Sequence, residues 1–309
     1  MPLRIRRYLL ASLLLVLTTT SLHAHAWGAD GHRYINRLAV DALPSSLRPL
    51  YVANRDWISQ HANDPDTFWK GQSRLEGPTH FIDLDTWGAE AAGEFPQDYW
   101  IACGLYGKEA VDKNGTVPWR IGQFYGLLVH AFKQKDSKAV VEISSWLGHY
   151  VADSHVPFHA AANYDGQLSG QKGIHARFES VMVERQIKFE DLKARPAAPL
   201  KDPVASAFHW IRDSLNLCGP VLEADKTAAA KDAMYGDAYY TEFGTKARPI
   251  ALQRLEEGAQ DLASLWYSAW LAAGKPEMPA MNMHAGQDAD VPTHDPTLPM
   301  PPKPTEPKP

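Results

Sequence analysis

Apolar positions recur along most of this chain at helical intervals and hardly anywhere alternate. Ile35, Leu38, Ala39 and Ala42 fall at i, i+3, i+4 and i+7, and Pro44 closes that segment. From residue 57 to about residue 115 the periodicity lapses into Gly, Pro, Asp and Trp, which predicts long loops carrying short helices. Pro118 suits a first helical turn, and 119–133 is amphipathic. Asp136 or Ser137 caps the next helix, which carries Ile143, Leu147 and Val151 and stops near Pro157. Residues 166–173 read as a flexible connection. Segments 174–193, 203–217 and 250–273 are helical again, with a helix and a Gly/Tyr-rich turn expected within 225–245. No stretch alternates convincingly, so the expected fold is all-α: a single-domain multi-helix bundle with long loops.

The two ends depart from this pattern. Arg4, Arg6 and Arg7 precede an apolar run over 8–20 that is too short to span a bilayer comfortably, and Ala24-His25-Ala26 places small residues at −3 and −1 of a cleavage site. Residues 1–26 are therefore expected to be a signal peptide, which implies a periplasmic or secreted protein whose mature chain starts at Trp27. No other stretch is long and apolar enough to cross a membrane. The tail over 274–309 is dense in Pro and lacks a buriable pattern, so it is expected to be disordered and to leave 27–273 as the working domain.

Composition narrows the function. With 45% hydrophobic residues the chain can build a large core. Removing 1–26 takes away three arginines and no acid, which leaves 28 basic against 36 acidic residues, a formal −8. That balance argues against a basic nucleic-acid groove, though not against a phosphate substrate if bound cations offset the charge locally. Cys103 and Cys218 could form one disulfide or remain two buried thiols. Two cysteines are too few for a thiolate metal site, so any metal must be held by His and carboxylate.

Such groups are concentrated between residues 149 and 179. His149 and Asp153 stand four apart on a predicted helix and project from one face. Pro157 turns the chain, which lets His159 return toward the same centre, and His175 with Glu179 repeats the i, i+4 spacing on the next helix. One His-x3-Asp pair is ordinarily a helix-surface ion pair. Two pairs flanking a third His point instead to a zinc-like ion, whose ligands must converge to about 2.0–2.2 Å.

The run His149-Tyr150 through Asp153, Pro157, His159-Ala160 and Asn163, followed by His175-Ala176-Arg177-Phe178-Glu179, resembles the zinc signature of bacterial zinc-dependent phospholipases C. These enzymes share a superfamily with the single-strand-specific zinc nucleases. The resemblance implies a helical protein with three zinc ions at the bottom of a cleft. It also implies a mature N-terminal Trp whose amino nitrogen and carbonyl oxygen bind one of them. Trp27, with His32 five residues on, fits that requirement. Carried over, the first zinc falls to Asp66, His80, His149 and Asp153, and the second to His159, His175 and Glu179. The third falls to Trp27, His32 and the far oxygen of Asp153, which thus bridges two ions. Thr79-His80-Phe81-Ile82-Asp83 resembles the family's His-aromatic-x-Asp segment. Asn63-Asp64-Pro65-Asp66 offers two aspartates; the 14-residue gap to His80 favours Asp66, with Asp64 the alternative. Ala152, Ser154 and one extra Ala before Asn163 depart from the signature at positions that touch packing more than ligation.

The implied chemistry is in-line attack on a phosphodiester by a hydroxide held between two zincs, with Asp153 bridging and Asp66 orienting or deprotonating the attacking water. Phe81 and Asp30 are the candidate substrate contacts, an aromatic at the site's mouth and a carboxylate near the third zinc. Glu179 and its His-Ala-Arg-Phe-Glu setting favour phospholipase C activity. The short step from Trp27 to His32 is the nuclease-like feature, so a single-strand nuclease or 3′-nucleotidase is the alternative and a non-catalytic zinc protein a third. The expected partner is a phospholipid or nucleic-acid phosphodiester, with no stable protein partner and a monomeric state. His155 is expected to be a hydrogen-bonded turn residue and His61, His130 and His209 structural. Trp119, Trp146, Trp210, Trp266 and Trp270 are expected to be core.

Overall fold

A computed structural model describes residues 27–88, 94–284 and 286–289. The signal-peptide assignment of 1–26 and the tail from residue 290 lie outside the described residues. The described chain is helical and contains no strand. Helix α1 (Gly28–Ala42) is followed by α2 (Arg48–Ala53) and α3 (Arg55–Gln60). Short turns lead to α4 (Tyr99–Tyr106) and α5 (Lys108–Lys113), as the Gly- and Pro-rich composition there requires. The long elements are α6 (Val117–Gln134), α7 (Ser137–Ser154), α8 (Pro203–Lys231) and α9 (Asp237–Ala272). α1 and α8 both pack on α9, α6 packs on α7, and α7 runs through the middle, buried from Val140 to Ser154.

Local signals account for the ends of α7. The Asp136 side chain accepts from Ala139 N at 3.0 Å, a capping bond that stands in for a missing intrahelical partner. His155 ends the helix and Val156, before Pro157, is extended. Close approach of α1 depends on Gly148: a Cβ there would fall 1.8 Å from Asn36 Oδ1. Asn36 in turn donates to Ile58 O and Ser145 O, which ties α1, α3 and α7 together behind the site.

Three expectations change. The helices expected over 203–217 and 250–273 are longer, because α8 continues through Pro220 and α9 through Pro249. A proline inside a helix costs about 3 kcal/mol, but here each helix has a packed face on both sides of it, such as Cys218 and Val221 in α8. The helical run from residue 174 ends at Gln186 rather than near 193. The tail is not without structure over its first part. Asn54 pairs with the backbone of Met281 and Met283, Trp57 Nε1 donates to Gln287 O, and Met283 is buried. These anchors come from side chains of the body meeting an irregular backbone, which leaves no periodic mark in the tail itself. Among the described residues no helix is long and apolar enough to cross a membrane. Cys103 and Cys218 are free thiols, and the buried Cys218 donates to Pro157 O.

Candidate metal centre

α7 delivers His149 and Asp153 into a fully buried cluster. His149 Nδ1–H donates to Ala62 O at 2.8 Å, which fixes the tautomer and aims the Nε2 lone pair at the centre. There Nε2 lies 3.5 Å from Asp66 Oδ1, 3.4 Å from Asp153 Oδ2 and 3.0 Å from His80 Nδ1. His159, on the turn after Pro157, donates Nδ1–H to His80 O at 2.6 Å, which leaves Nε2 facing Glu179 Oε2 at 3.8 Å. His175 Nε2 approaches the same Glu179 oxygen at 2.9 Å. His32 stacks on His149 with ring centroids 4.1 Å apart, and its Nε2 is 3.7 Å from Asp153 Oδ1.

The ligand atoms fall into three groups: His32, His149 and Asp153; Asp66, His80 and His149; His159, His175 and Glu179. Within each group they lie within 4.8 Å of one another. Asp153 faces two ways, with Oδ2 toward His80 at 2.9 Å and Oδ1 toward His32 and His159. Asp66 and Glu179 sit on the two π-helical segments, Pro65–Trp69 and Arg177–Met182, where the wider turn sets each carboxylate inward. The choice between the two aspartates resolves for position. Asp64 is held away by His61 at 2.8 Å and by the Trp146 indole at 3.1 Å, whereas Asp66 faces His80 and His149.

This arrangement fits a cation. Among the described residues both ring nitrogens of His32, Asp153 Oδ1 and Glu179 Oε1 are buried without a hydrogen-bond partner. Two nitrogens, His80 Nδ1 and His149 Nε2, confront each other at 3.0 Å. Unsatisfied buried polar atoms are costly, and cations held within the separate groups would satisfy the lone pairs that face one another. The electrostatics divide: against burial, Asp153 and Asp66 raise His149 and Glu179 raises His175, while burial raises the Glu179 carboxyl. Burial pushes His32 well below the ordinary range, and burial likewise takes His159 down to about 3, so both favour the neutral, ligating form. Burial works against the Asp153 anion, yet His149, His159 and His80 hold its carboxyl below the usual range.

Trp27 is fully buried, its indole donating to Ala152 O at 2.8 Å. Its backbone nitrogen lies 3.2 Å from Glu179 Oε2, at the edge of the cluster, while its carbonyl accepts from Gly31 N within the first turn of α1. Gly31 is needed there, since a Cβ would fall 2.6 Å from the Trp27 Cβ. The resemblance implies ligation through both backbone atoms; one lone pair of the carbonyl is already taken by the Gly31 N–H.

A cavity of about 500 Å³ opens onto His80, His159 and His175, with Phe81, Asp83, Phe158 and Tyr164 on its walls. Phe81 therefore stands where expected. Asp30 does not line this cavity; it is half-buried and paired with Arg33 at 3.5 Å. Three residues were missed. Lys70 lines the cavity and its ammonium contacts Asp66. Glu76 Oε1 lies 3.2 Å from His80 Nε2, and the Glu76 carboxylate is clamped by Arg120 and Tyr150, both at 2.5 Å. Burial would raise the Glu76 carboxyl, but the His80 bond and Arg120 hold it down to about 2. Both had a visible signal in i, i+4 spacing, Asp66 to Lys70 and Glu76 to His80, the spacing that marks the other pairs. Asp83 belongs to the His-aromatic-x-Asp segment, but no role was expected of it. Burial, then Asp85, pushes its carboxyl up to about 7.

The other histidines lie apart. His155 bonds Val151 O and Asp261, with Ser154 at 3.2 Å. Ser154 donates to Val151 O, both residues are fully buried and neither borders the cavity, so this Ser–His–Asp string is structural. His61 stacks on Trp57, His130 is exposed, and His209 is exposed and pairs with Asp213.

No family model matches the chain. Over 209 residues it is 24% identical to a probable serine protease of Bradyrhizobium tropiciagri, a stretch that makes up 58% of this chain and 26% of that protein. The chain thus spans about a quarter of the length of that curated relative. Among solved structures it is similar to the Clostridium perfringens alpha-toxin of an avian strain, with a TM-score of 0.48 and 16% identity over 82% of this chain and 66% of that one.

Proposed function

We propose that this protein is an exported zinc-dependent phosphodiesterase of the phospholipase C type. The observation that carries the reading is the set of three neighbouring His/carboxylate groups, two of them sharing His149, with buried ligand atoms that lack hydrogen-bond partners. Asp66, His80, His149 and Asp153 would hold one ion and His159, His175 and Glu179 a second. A third would take His32, the outer oxygen of Asp153 and the Trp27 nitrogen, freed by cleavage after Ala26. Bound zinc supplies Lewis-acid charge and makes water acidic enough to act at neutral pH.

The chain's own residues do the rest. Asp66, paired with Lys70, would orient the attacking water and take its proton. The Lys70 ammonium lines the cavity, where it can meet a non-bridging phosphate oxygen. Phe81, Phe158 and Tyr164 shape the wall and exclude water from the ester. Water adds to phosphorus, the phosphorus–oxygen ester bond breaks, and the alcohol leaves with a proton.

One observation favours the nuclease as a second reading. Phe81 and Asp83 stand two residues apart on the cavity wall, where the Phe81 ring could stack on a base. Incubating the mature protein with phosphatidylcholine and, separately, with single-stranded DNA decides. Soluble phosphocholine supports the lipase and nucleotide products the nuclease. Turnover of neither, with three zincs measured per chain, refutes both and leaves a zinc-binding protein. A version carrying one residue before Trp27 is expected to bind two zincs rather than three, and unchanged metal content would refute the role of its nitrogen.

A further inference from the structure

The histidines of the cluster are not all steadied in the same way. His149 and His159 are each aimed by a backbone carbonyl on Nδ1, and His80 has Glu76 Oε1 3.2 Å from its Nε2. No such bond aims His175 among the described residues; its Nε2 meets Glu179, and its ring lies against those of Phe158 and His159. Its direction therefore depends on the backbone that carries it. That backbone is gripped by Arg177, which lies two residues after His175 and two before Glu179. The guanidinium donates through Nη2 to Gln171 O at 3.0 Å and through Nη1 to Lys172 O at 2.9 Å. Those are carbonyls of the strand of chain that leads into His175. Gly173 makes the turn between them with φ +89°, and a Cβ there would fall 2.9 Å from Nη1.

The grip is anchored far off in the sequence. Asp225, buried on α8, accepts from Arg177 Nε at 2.9 Å and lies 2.8 Å from Nη2. The same carboxylate accepts from the Tyr239 hydroxyl on α9 and from Gln171 Nε2 at 2.7 Å, while the Tyr235 ring covers the guanidinium at 4.2 Å. A buried ion pair is a poor source of stability by itself, since apolar side chains of like volume do as well or better. What this one supplies is direction, because a guanidinium holds its donors in a fixed plane, where a lysine would bring the charge without the fork.

We propose that Arg177 is a positioning residue for the group formed by His159, His175 and Glu179. Pinned by Asp225, it sets the turn that aims His175. Through Gln171, whose N–H donates to Gly166 O at 2.9 Å, it also braces the loop that carries Tyr164 into the cavity wall. The inference rests on the zinc reading and deepens it.

The test is withdrawal of zinc from the loaded protein by a chromogenic chelator, with no substrate present. Arg177→Lys is expected to weaken one zinc about 10–100-fold and to leave the other two at wild-type affinity. A general loosening of the fold would weaken all three together. A double variant identifies the ion: adding Arg177→Lys to His175→Ala is expected to weaken nothing further, because the ion that Arg177 serves is already lost. Wild-type affinity at every site in Arg177→Lys overturns the inference, as do equal weakening of all three and an additive loss in the double variant. If Arg177→Lys does not fold, Asp225→Asn, which keeps the shape of the anchor and removes its charge, carries the same expectation and the same refutations. A wild type that takes up no zinc sinks the zinc reading itself, whereas a failure confined to the variants sinks only the role of Arg177.

Discussion

His149 and His155 lie six residues apart near the end of α7, both fully buried and both beside a carboxylate, yet their surroundings differ in kind. Around His155 the account closes. Each ring nitrogen meets an oxygen, Val151 O at 2.8 Å and Asp261 at 3.0 Å, while Arg254 binds the carbonyls of His155 and Trp210. Around His149 it stays open: one nitrogen is committed to Ala62 O and the other points into a space shared with His80, Asp66 and Asp153. Burial and residue type are the same in both places. Closure separates a cluster that holds helices together from one that is built to hold something else, because a buried polar atom without a partner costs about 1–3 kcal/mol.

The strongest way to break this contrast is Asp153→Ala. It removes the carboxylate that faces His80 with one oxygen and His32 with the other, and is expected to cost at least one zinc per chain and on the order of 10³-fold in phosphodiester turnover. Metal analysis and a rate measurement together check it; full metal with full rate would remove the distinction.

Glu76→Gln tests the open cluster from outside. Glu76 Oε1 lies 3.2 Å from His80 Nε2, and replacing a carboxylate behind a ligating His typically lowers metal affinity about 10–100-fold. Competition against a chromogenic chelator measures this, and wild-type affinity would show that the bond does not set the ring.

Asp261→Asn probes the closed cluster. It is expected to destabilise the fold by about 1–3 kcal/mol, seen in a denaturant midpoint, while bound zinc stays at the wild-type level. Loss of metal here would mean that the two regions are not separate.

The smallest effect belongs to Asp83, on the cavity wall. Its folded pKa of about 7 lies above the unfolded value of about 3.9. Its contribution to stability is therefore complete below about pH 4 and lost as pH rises through 7. Asp83→Asn is expected to flatten the stability profile between pH 4 and 7 by about 1 kcal/mol, after allowance for its partial contact with solvent. An unchanged profile would mean that the wall is better hydrated than its burial suggests.

Much of the fold was legible in the sequence. α1, α6 and α7 follow from periodicity with caps and prolines at their ends, and those signals are local. The ligand pairs were legible for the same reason, since i, i+4 on a helix fixes proximity whatever lies around it. The continuation of α8 through Pro220 and α9 through Pro249 was not legible, because packing on neighbouring helices outweighs a local penalty. Nor was the docking of Pro276, Pro279, Met281 and Gln287, held by Trp270, Ser137, Asn54 and Trp57 from elsewhere in the chain.

The sequence by itself determined that the protein is helical and that His149 with Asp153, and His175 with Glu179, each share a helix face. Tertiary structure decided which groups those pairs meet: that Asp66 rather than Asp64 turns inward, that His80 is steadied by Glu76, and that Asp30 stays at the surface. The reason is range. A helix repeats every few residues and sets neighbours within one turn, whereas lone pairs converging on one point need segments more than a hundred residues apart, and only packing brings Trp27 and Glu179 to 3.2 Å.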